Sequence, residues 1–195
     1  MTDRLKAAGF TGWRYDYVKG FAGKYVGYYN AKTSAVFSVG EHWPTDGFNS
    51  SNPKAWYDQF KTWIDDTNTE IENRNTTPYP SRHFDFVTKG MLNTVFGSNG
   101  TGISNSNYNL LANEYLGLRK MPESSVTFVD NHDTGSTQAL WYLDPDDVGT
   151  AYAFILTHPG VPCVAWQHYF TAEESYDTTV SANSSQYIGG NTVPG

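Results

Sequence analysis

Residues 12–20 read Gly12-Trp13-Arg14-Tyr15-Asp16-Tyr17-Val18-Lys19-Gly20, and this stretch decides the fold. It is typical of a β-strand that ends in a carboxylate, here Asp16. Two later stretches have the same form: residues 36–41 end in Glu41, and residues 128–134 carry Asp133. Buried strands hold carboxylates only at their ends, where a cleft can solvate or use them. The three stretches therefore predict a barrel active site, and an enzyme that uses carboxylates as acid, base and nucleophile.

Strands alternate with helices over most of the chain. We predict five strands, at residues 10–16, 35–41, 83–86, 125–130 and 161–166. Helical spacing of apolar residues predicts helices at residues 3–9, 21–31, 54–71, 87–96, 108–117 and 146–158. Short links between these elements favour parallel strands with right-handed crossovers. The predicted fold class is α/β, with too few strands to close an eight-stranded barrel.

Composition limits the classes of function. A chain of 195 residues is long enough for one domain with a core. Its net charge of -7 disfavours nucleic acids and anionic membranes as partners. No apolar run approaches the roughly 20 residues of a membrane span. Cys163 is the single cysteine, so no intrachain disulfide is possible, and we predict that it is a small buried hydrophobe.

The strand-end residues suit the hydrolysis of a glycoside with retention of configuration. That reaction needs a nucleophilic carboxylate and a carboxylic acid about 5–5.5 Å apart. Asp16 and Glu41 come from consecutive strands, and Arg14 shares a strand face with Asp16, whose ionised form it would favour. A partly apolar wall after Glu41 is expected to raise its pKa and keep it protonated. Asp133 and His132 are candidates for hydrogen bonds to sugar hydroxyls.

Each of these residues also has a purely structural interpretation. Arg14 and Asp16 could form a structural ion pair, His132 could be a core histidine, and Lys19 could be a solvated surface charge. Asp85 also follows a strand, and we assign it a structural role first. The catalytic interpretation depends on three carboxylates at corresponding positions of successive strands.

The sequence resembles the α-amylase family of glycoside hydrolases, and the plant-type α-amylases in particular. Residues 12–20 match the family's nucleophile motif, and Val39-Gly40-Glu41-His42-Trp43 matches its acid/base motif. Residues 128–138 match a third motif, and residues 84–86 and 151–160 also fit the plant-type pattern. The resemblance covers roughly residues 5–170, in the family's order and spacing.

The resemblance implies a role for each matching residue. Asp16 would be the nucleophile that forms a β-glucosyl-enzyme, Glu41 the general acid and then the base, and Asp133 the group that steadies the distorted sugar. The substrate-binding residues would be Arg14, Lys19, Trp43 and His132. Lys19 would contact the sugar on the leaving-group side. The backbone carbonyl of Gly20 would be a ligand of a structural calcium ion, which binds carbonyl oxygens.

The family's first motif, with an Asn calcium ligand and a substrate-binding His, is not found in this sequence. The resemblance therefore implies a partial (β/α)₈ TIM barrel that holds strands four to eight with their helices. Residues 1–170 would be the C-terminal part of the catalytic barrel, and residues 171–195, rich in Ser, Thr, Asn and Gly, an irregular tail. The parent enzyme would be monomeric and secreted, and we expect this chain alone to have little or no amylase activity.

The implied activity is the endo-hydrolysis of α-1,4-glucosidic bonds in starch-like glucans, with starch or malto-oligosaccharides as substrate. Two alternatives stay open. One is a related α-glucosidase or transglycosylase that uses the same three carboxylates on another bond or acceptor. The other is a non-catalytic fragment that binds glucan.

Overall fold

The computed structural model describes residues 2–75, 79–97, 107–135, 138, 140–169, 186–188 and 191–193. A parallel five-stranded sheet with its strands in chain order forms the centre of the fold. The strands of this sheet are β1 (Gly12–Tyr15), β2 (Phe37–Gly40), β3 (Arg82–Phe84), β4 (Ser125–Phe128) and β5 (Val161–Cys163). The helices are α1 (Thr2–Ala7), α2 (Gly23–Thr33), α3 (Lys54–Arg74), α4 (Phe86–Phe96), α5 (Gly117–Lys120), α6 (Val148–Thr157) and α7 (Trp166–Tyr169). The α/β fold class and the partial barrel are confirmed.

The register of the first two strands positions the strand ends. Tyr15 of β1 pairs with Gly40 of β2, so Asp16 and Glu41, the residues that directly follow this pair, lie side by side. The Glu41 backbone N–H donates to the Tyr15 carbonyl oxygen at 2.9 Å, and the Val18 N–H donates to the Glu41 carbonyl oxygen at 3.0 Å. Both carboxylates therefore leave the same edge of the sheet.

Helix α3 provides much of the core on one side of the sheet. Its predicted apolar face is confirmed, since Trp56, Phe60, Trp63 and Ile64 are all buried. Beneath the sheet, the Asn30 amide donates to Ser38 Oγ at 2.7 Å, and Ser38 Oγ donates to Ser81 Oγ at 2.8 Å. These buried hydrogen bonds join α2 to β2 and to the start of β3.

Helix α2 packs on α3 through small residues. A Cβ atom on Gly27 would lie 2.4 Å from the Thr67 carbonyl oxygen, so only glycine permits the close approach of the two helices. The aromatic residues that predict this helix from the sequence are exposed; they are Phe21, which precedes α2, and Tyr25, Tyr28 and Tyr29.

Two predictions about burial are wrong. Strand β1 is only half-buried rather than buried, and Phe10 before it is 58% exposed. Cys163 is exposed rather than buried. Strand β1 and strand β5, which ends at Cys163, are the two edges of the five-stranded sheet, where a neighbouring strand covers one side only.

The segment at 108–117 also differs from its prediction. A 3₁₀ helix covers Tyr108–Ala112, and α5 begins only at Gly117. Asn113 separates the two, because its Oδ1 accepts the Tyr115 N–H at 2.9 Å and closes a turn.

Within the predicted tail, β6 (Gln186–Ile188) pairs with β7 (Asn191–Val193) in an antiparallel sheet, and the other residues of 171–195 lie outside the described residues. In the part of the chain that the structure describes, no helix is both long and apolar enough to cross a membrane.

The two sheet edges generate a prediction. Among the described residues, β1 and β5 each pair with one neighbour only, which leaves backbone donors and acceptors open on the other side. Such edges pair with other chains. We expect the 195-residue chain alone to be oligomeric or poorly soluble, as measured by size-exclusion chromatography with light scattering. A well-behaved monomer at all concentrations would contradict this.

Candidate active site

A single guanidinium joins the two carboxylates at the ends of β1 and β2. Arg14 Nη1 lies 3.2 Å from Asp16 Oδ1, and Arg14 Nη2 lies 3.0 Å from Glu41 Oε1. The structure thus brings together three of the residues singled out in the sequence. The geometry follows from β1, since Arg14 and Asp16 are two residues apart and point to the same side of the strand.

The two carboxylates have different environments. The Asp16 side chain is 74% exposed, whereas that of Glu41 is 8% exposed. Burial raises the pKa of Glu41, the Arg14 charge lowers it, and the neighbouring Asp16 carboxyl raises it again, with a net upward shift. This is the direction that we predict from the sequence. Both carboxylates pair with Arg14, but Asp16 is solvated, whereas burial favours the protonated form of Glu41.

The two residues that flank Glu41 in the chain, Gly40 and His42, pack against Trp63. His42 is buried, its Nδ1 has no hydrogen-bond partner among the described residues, and its ring centroid lies 6.3 Å from that of Trp63. Burial lowers the pKa of His42 to about 4, so the ring is neutral at ordinary pH. A Cβ atom on Gly40 would lie 2.3 Å from Trp63 Cη2. The glycine before Glu41 therefore lets the indole ring cover the end of β2.

The turn after Asp16 is closed against Glu41. Tyr17 has a left-handed backbone (φ 48°), which is uncommon for a residue other than glycine. Its backbone N–H points to Glu41 Oε2 at 3.5 Å, a long contact. The turn continues into a 3₁₀ helix, Val18–Gly20, that presents Lys19 beside the site.

A cleft beside this turn holds two of the predicted substrate-binding residues. Lys19 and Trp43 both line a cavity of about 420 Å³, together with Trp141. The Trp43 ring stacks on Trp141, with centroids 6.1 Å apart and planes 18° apart. Ligand sites in proteins have volumes of about 300–1,000 Å³. Aromatic faces and a cation in one cleft suit a ligand that has both apolar faces and hydroxyls.

The third carboxylate lies on the turn that follows β4. Asp133 Oδ2 is 3.4 Å from His132 Nε2, and the Gln138 amide donates to Asp133 Oδ1. The His132 side chain is 58% exposed, so the alternative of a core histidine is wrong. Within the described ranges, neither Asp133 nor His132 contacts Arg14, Asp16 or Glu41. Asp85 has the structural role expected for it, as the buried N-cap of α4 that accepts the Thr88 N–H.

Sequence reasoning missed a charged pair beneath this turn. Lys89 of α4 and Asp130 after β4 are both buried, and Lys89 Nζ lies 2.6 Å from Asp130 Oδ1. Each residue has a sequence feature that could have indicated it. Lys89 interrupts an apolar helical run, and Asp130 is a further carboxylate at a strand end.

Several known proteins that are similar to this chain in sequence are α-amylases. The chain is 34% identical to "Probable alpha-amylase 2" of Arabidopsis thaliana over 167 residues, which are 83% of this chain and 37% of that protein. It is 49% identical to "Alpha-amylase type B isozyme" of Hordeum vulgare over 65 residues, 32% of this chain and 42% of the relative.

The chain resembles the α-amylase family over most of its length. No family model matches it. A bacterial relative, "Glucan 1,4-alpha-maltotetraohydrolase" of Roseateles saccharophilus, is 31% identical over 173 residues, 83% of this chain and 28% of that protein. The chain thus spans less than half the length of each of these α-amylase relatives.

The calcium site implied by the α-amylase resemblance does not fit the residues present. Calcium takes 6–8 oxygen ligands. Gly20 is exposed at the end of its 3₁₀ helix, and its carbonyl would supply one oxygen. Where the structure describes the chain, no group of three or more His, Cys, Asp or Glu side chains is placed to hold a metal ion.

The raised pKa of Glu41 predicts a dependence of stability on pH. Because the folded chain holds this proton to higher pH than the unfolded chain, ionisation of Glu41 costs stability once the pH exceeds the unfolded value of about 4.3. Glu41→Gln should therefore raise the urea midpoint at about pH 7, and this gain should disappear at about pH 3.5, where both states are protonated.

Glu123→Gln is the matched control, because Glu123 is exposed and its replacement should change the free energy of unfolding by less than about 0.5 kcal/mol at either pH. A Glu41→Gln variant that is less stable than the wild-type chain at pH 7 would contradict the environment described for Glu41.

Proposed function

We propose that this segment carries the centre of a retaining endo-hydrolase of α-1,4-glucosidic bonds in starch-like glucans. The observation that supports this most strongly is the Arg14 bridge between an exposed carboxylate and a buried one. A retaining glycosidase needs a nucleophile and a proton donor side by side, in environments that separate their proton affinities.

The two environments suggest which carboxylate has which role. Exposure leaves the carboxylate oxygens of Asp16 open to substrate, as a nucleophile requires. Burial raises the pKa of Glu41, which suits an acid that must be protonated when the reaction starts. Asp16 is thus the proposed nucleophile and Glu41 the proposed general acid.

The proposed reaction has two steps. Asp16 attacks the anomeric carbon while Glu41 donates its proton to the glycosidic oxygen, so the leaving glucan departs as an alcohol and a glycosyl ester forms on Asp16. Glu41, now a carboxylate, takes a proton from water as that water attacks the anomeric carbon and breaks the ester. Two inversions return the original configuration, and Glu41 ends with its proton restored.

The remaining residues are proposed to bind the glucan. Trp43, stacked on Trp141, and Lys19 line the cleft next to the carboxylates and would hold the sugar on the leaving-group side. Asp133 and His132 would bind hydroxyls of the sugar that is attacked. The names of the relatives support a 1,4-linked glucan as substrate, and the product would contribute to starch degradation.

The test compares substrates with different leaving groups, in the longest polypeptide that carries this segment and in the 195-residue chain in parallel. Glu41→Gln should lower starch hydrolysis by about 10²–10⁴-fold, because the amide cannot donate a proton. It should lower kcat/KM for α-maltosyl fluoride far less, because kcat/KM covers formation of the glycosyl ester and fluoride departs without a proton. Asp16→Asn should abolish hydrolysis of both substrates.

Glu123→Gln is the control and should keep both activities, since this side chain is exposed and lies before β4, away from the carboxylates. Near-normal starch hydrolysis by Glu41→Gln would remove Glu41 from its role. An equal loss of kcat/KM on both substrates would contradict proton donation as that role.

A further inference from the structure

A lysine with no exposed surface lies under the turn that carries Asp133. Lys89 Nζ donates to Asp130 Oδ1 and to Asn93 Oδ1, each at 2.6 Å. Burial lowers the pKa of Lys89, and the Asp130 charge opposes that shift. The proposed reaction uses neither Lys89 nor Asp130.

Both partners of Lys89 continue into the chain segment that follows β4. Asp130 Oδ1 accepts the Thr134 hydroxyl at 3.0 Å, and Asp130 Oδ2 accepts the Leu143 backbone N–H at 3.1 Å. Asn93 Nδ2 points to the backbone carbonyl oxygens of Trp141 at 3.2 Å and Tyr142 at 3.3 Å. The network of Lys89, Asn93 and Asp130 therefore holds both ends of the segment at residues 131–142.

That segment contains three residues of the proposed site. His132 and Asp133 lie near its start, and Trp141 lies near its end. Lys89 Nζ is also 5.5 Å from the centroid of the Trp141 ring. Lys89 thus contacts Asp130, which bonds to the turn that carries Asp133, and it also lies close to Trp141, which lines the aromatic cleft.

Stability alone gives a weak reason for such a pair. Removing two charges from water costs several kcal/mol per ion, and apolar replacements of similar volume are often as stable or more stable. Hydrogen bonds are directional, so the network of Lys89, Asn93 and Asp130 fixes the positions of particular backbone and side-chain atoms, which apolar packing does not.

We propose that Lys89 is a positioning residue, which fixes residues 131–135 and 140–142 so that Asp133 and the Trp141 ring face the same bound glucan. The inference rests on the proposed function for what the segment binds. The positioning itself is a property of the folded chain and is measured without substrate.

The experiment is hydrogen–deuterium exchange with mass spectrometry on the 195-residue chain. Lys89→Met leaves Asp130 buried without its cation, so the double variant Lys89→Met/Asp130→Asn, which removes both charges, is the decisive one. Its urea midpoint should lie close to that of the wild-type chain. Exchange of amides in residues 130–143 should be at least ten-fold faster, while amides of α3 exchange at the wild-type rate.

Lys61→Met is the matched control. Like Lys89, Lys61 pairs with an aspartate, here Asp65, but its side chain is 43% exposed. It should leave exchange in residues 130–143 unchanged. Wild-type exchange there in the double variant would overturn the proposal. So would a uniform acceleration throughout the chain, or failure of the double variant to fold, because each would give the pair a role in the whole core.

Failure of the proposed function gives a different result. If the wild-type polypeptide neither binds nor cleaves α-glucan while the double variant shows the local change in exchange, the function is wrong and the positioning stands. In an active polypeptide that carries this segment, the double variant should lose at least ten-fold in kcat/KM on starch at an unchanged urea midpoint. Displacement of catalytic groups by about 1 Å costs up to about 10²-fold.

Discussion

The structure depends first on the in-register parallel pairing of β1 with β2. Because Tyr15 lies opposite Gly40, the next residue of each strand is a carboxylate, and one guanidinium from β1 reaches both. A shift of one residue in this register would turn one of the two side chains to the other face of the sheet. Gly40 adds a second constraint, because a Cβ atom at this position would collide with the indole of Trp63, which packs on the end of β2. The difference between the two carboxylates is therefore a consequence of sheet geometry.

Buried polar groups connect the strands of the sheet to the helices and segments around them. The hydrogen bonds from Asn30 through Ser38 to Ser81 join α2, β2 and the start of β3. The Lys89–Asp130 pair does the same for α4 and the segment after β4. Unpaired polar groups at such depth would be costly, so each network permits few alternative arrangements. The chain thus combines an apolar core, which stabilises the fold, with polar connections that restrict the positions of the groups at one edge of the sheet.

Much of this arrangement could be predicted from local sequence. The strands, the amphipathic α3 and the carboxylates at strand ends follow from short-range patterns. The raised pKa of Glu41 has the predicted direction, and its main cause is burial. Burial could not be predicted as well, because it depends on which neighbours cover an element. Cys163 lies in an apolar stretch and is still exposed, since β5 is an edge strand. The Lys89–Asp130 pair joins residues 41 positions apart, and no local pattern indicates such a contact.

The central claim is that Asp16 forms a covalent bond to the sugar while Glu41 supplies the proton. The most direct measurement treats the longest polypeptide that carries this segment with a 2-deoxy-2-fluoro or similar slow-turnover α-glucosyl reagent, followed by peptide mass mapping. A retaining path passes through an ester, so the account predicts one glycosyl group, attached to Asp16. A label on any other residue, or product of inverted anomeric configuration by NMR, would contradict it.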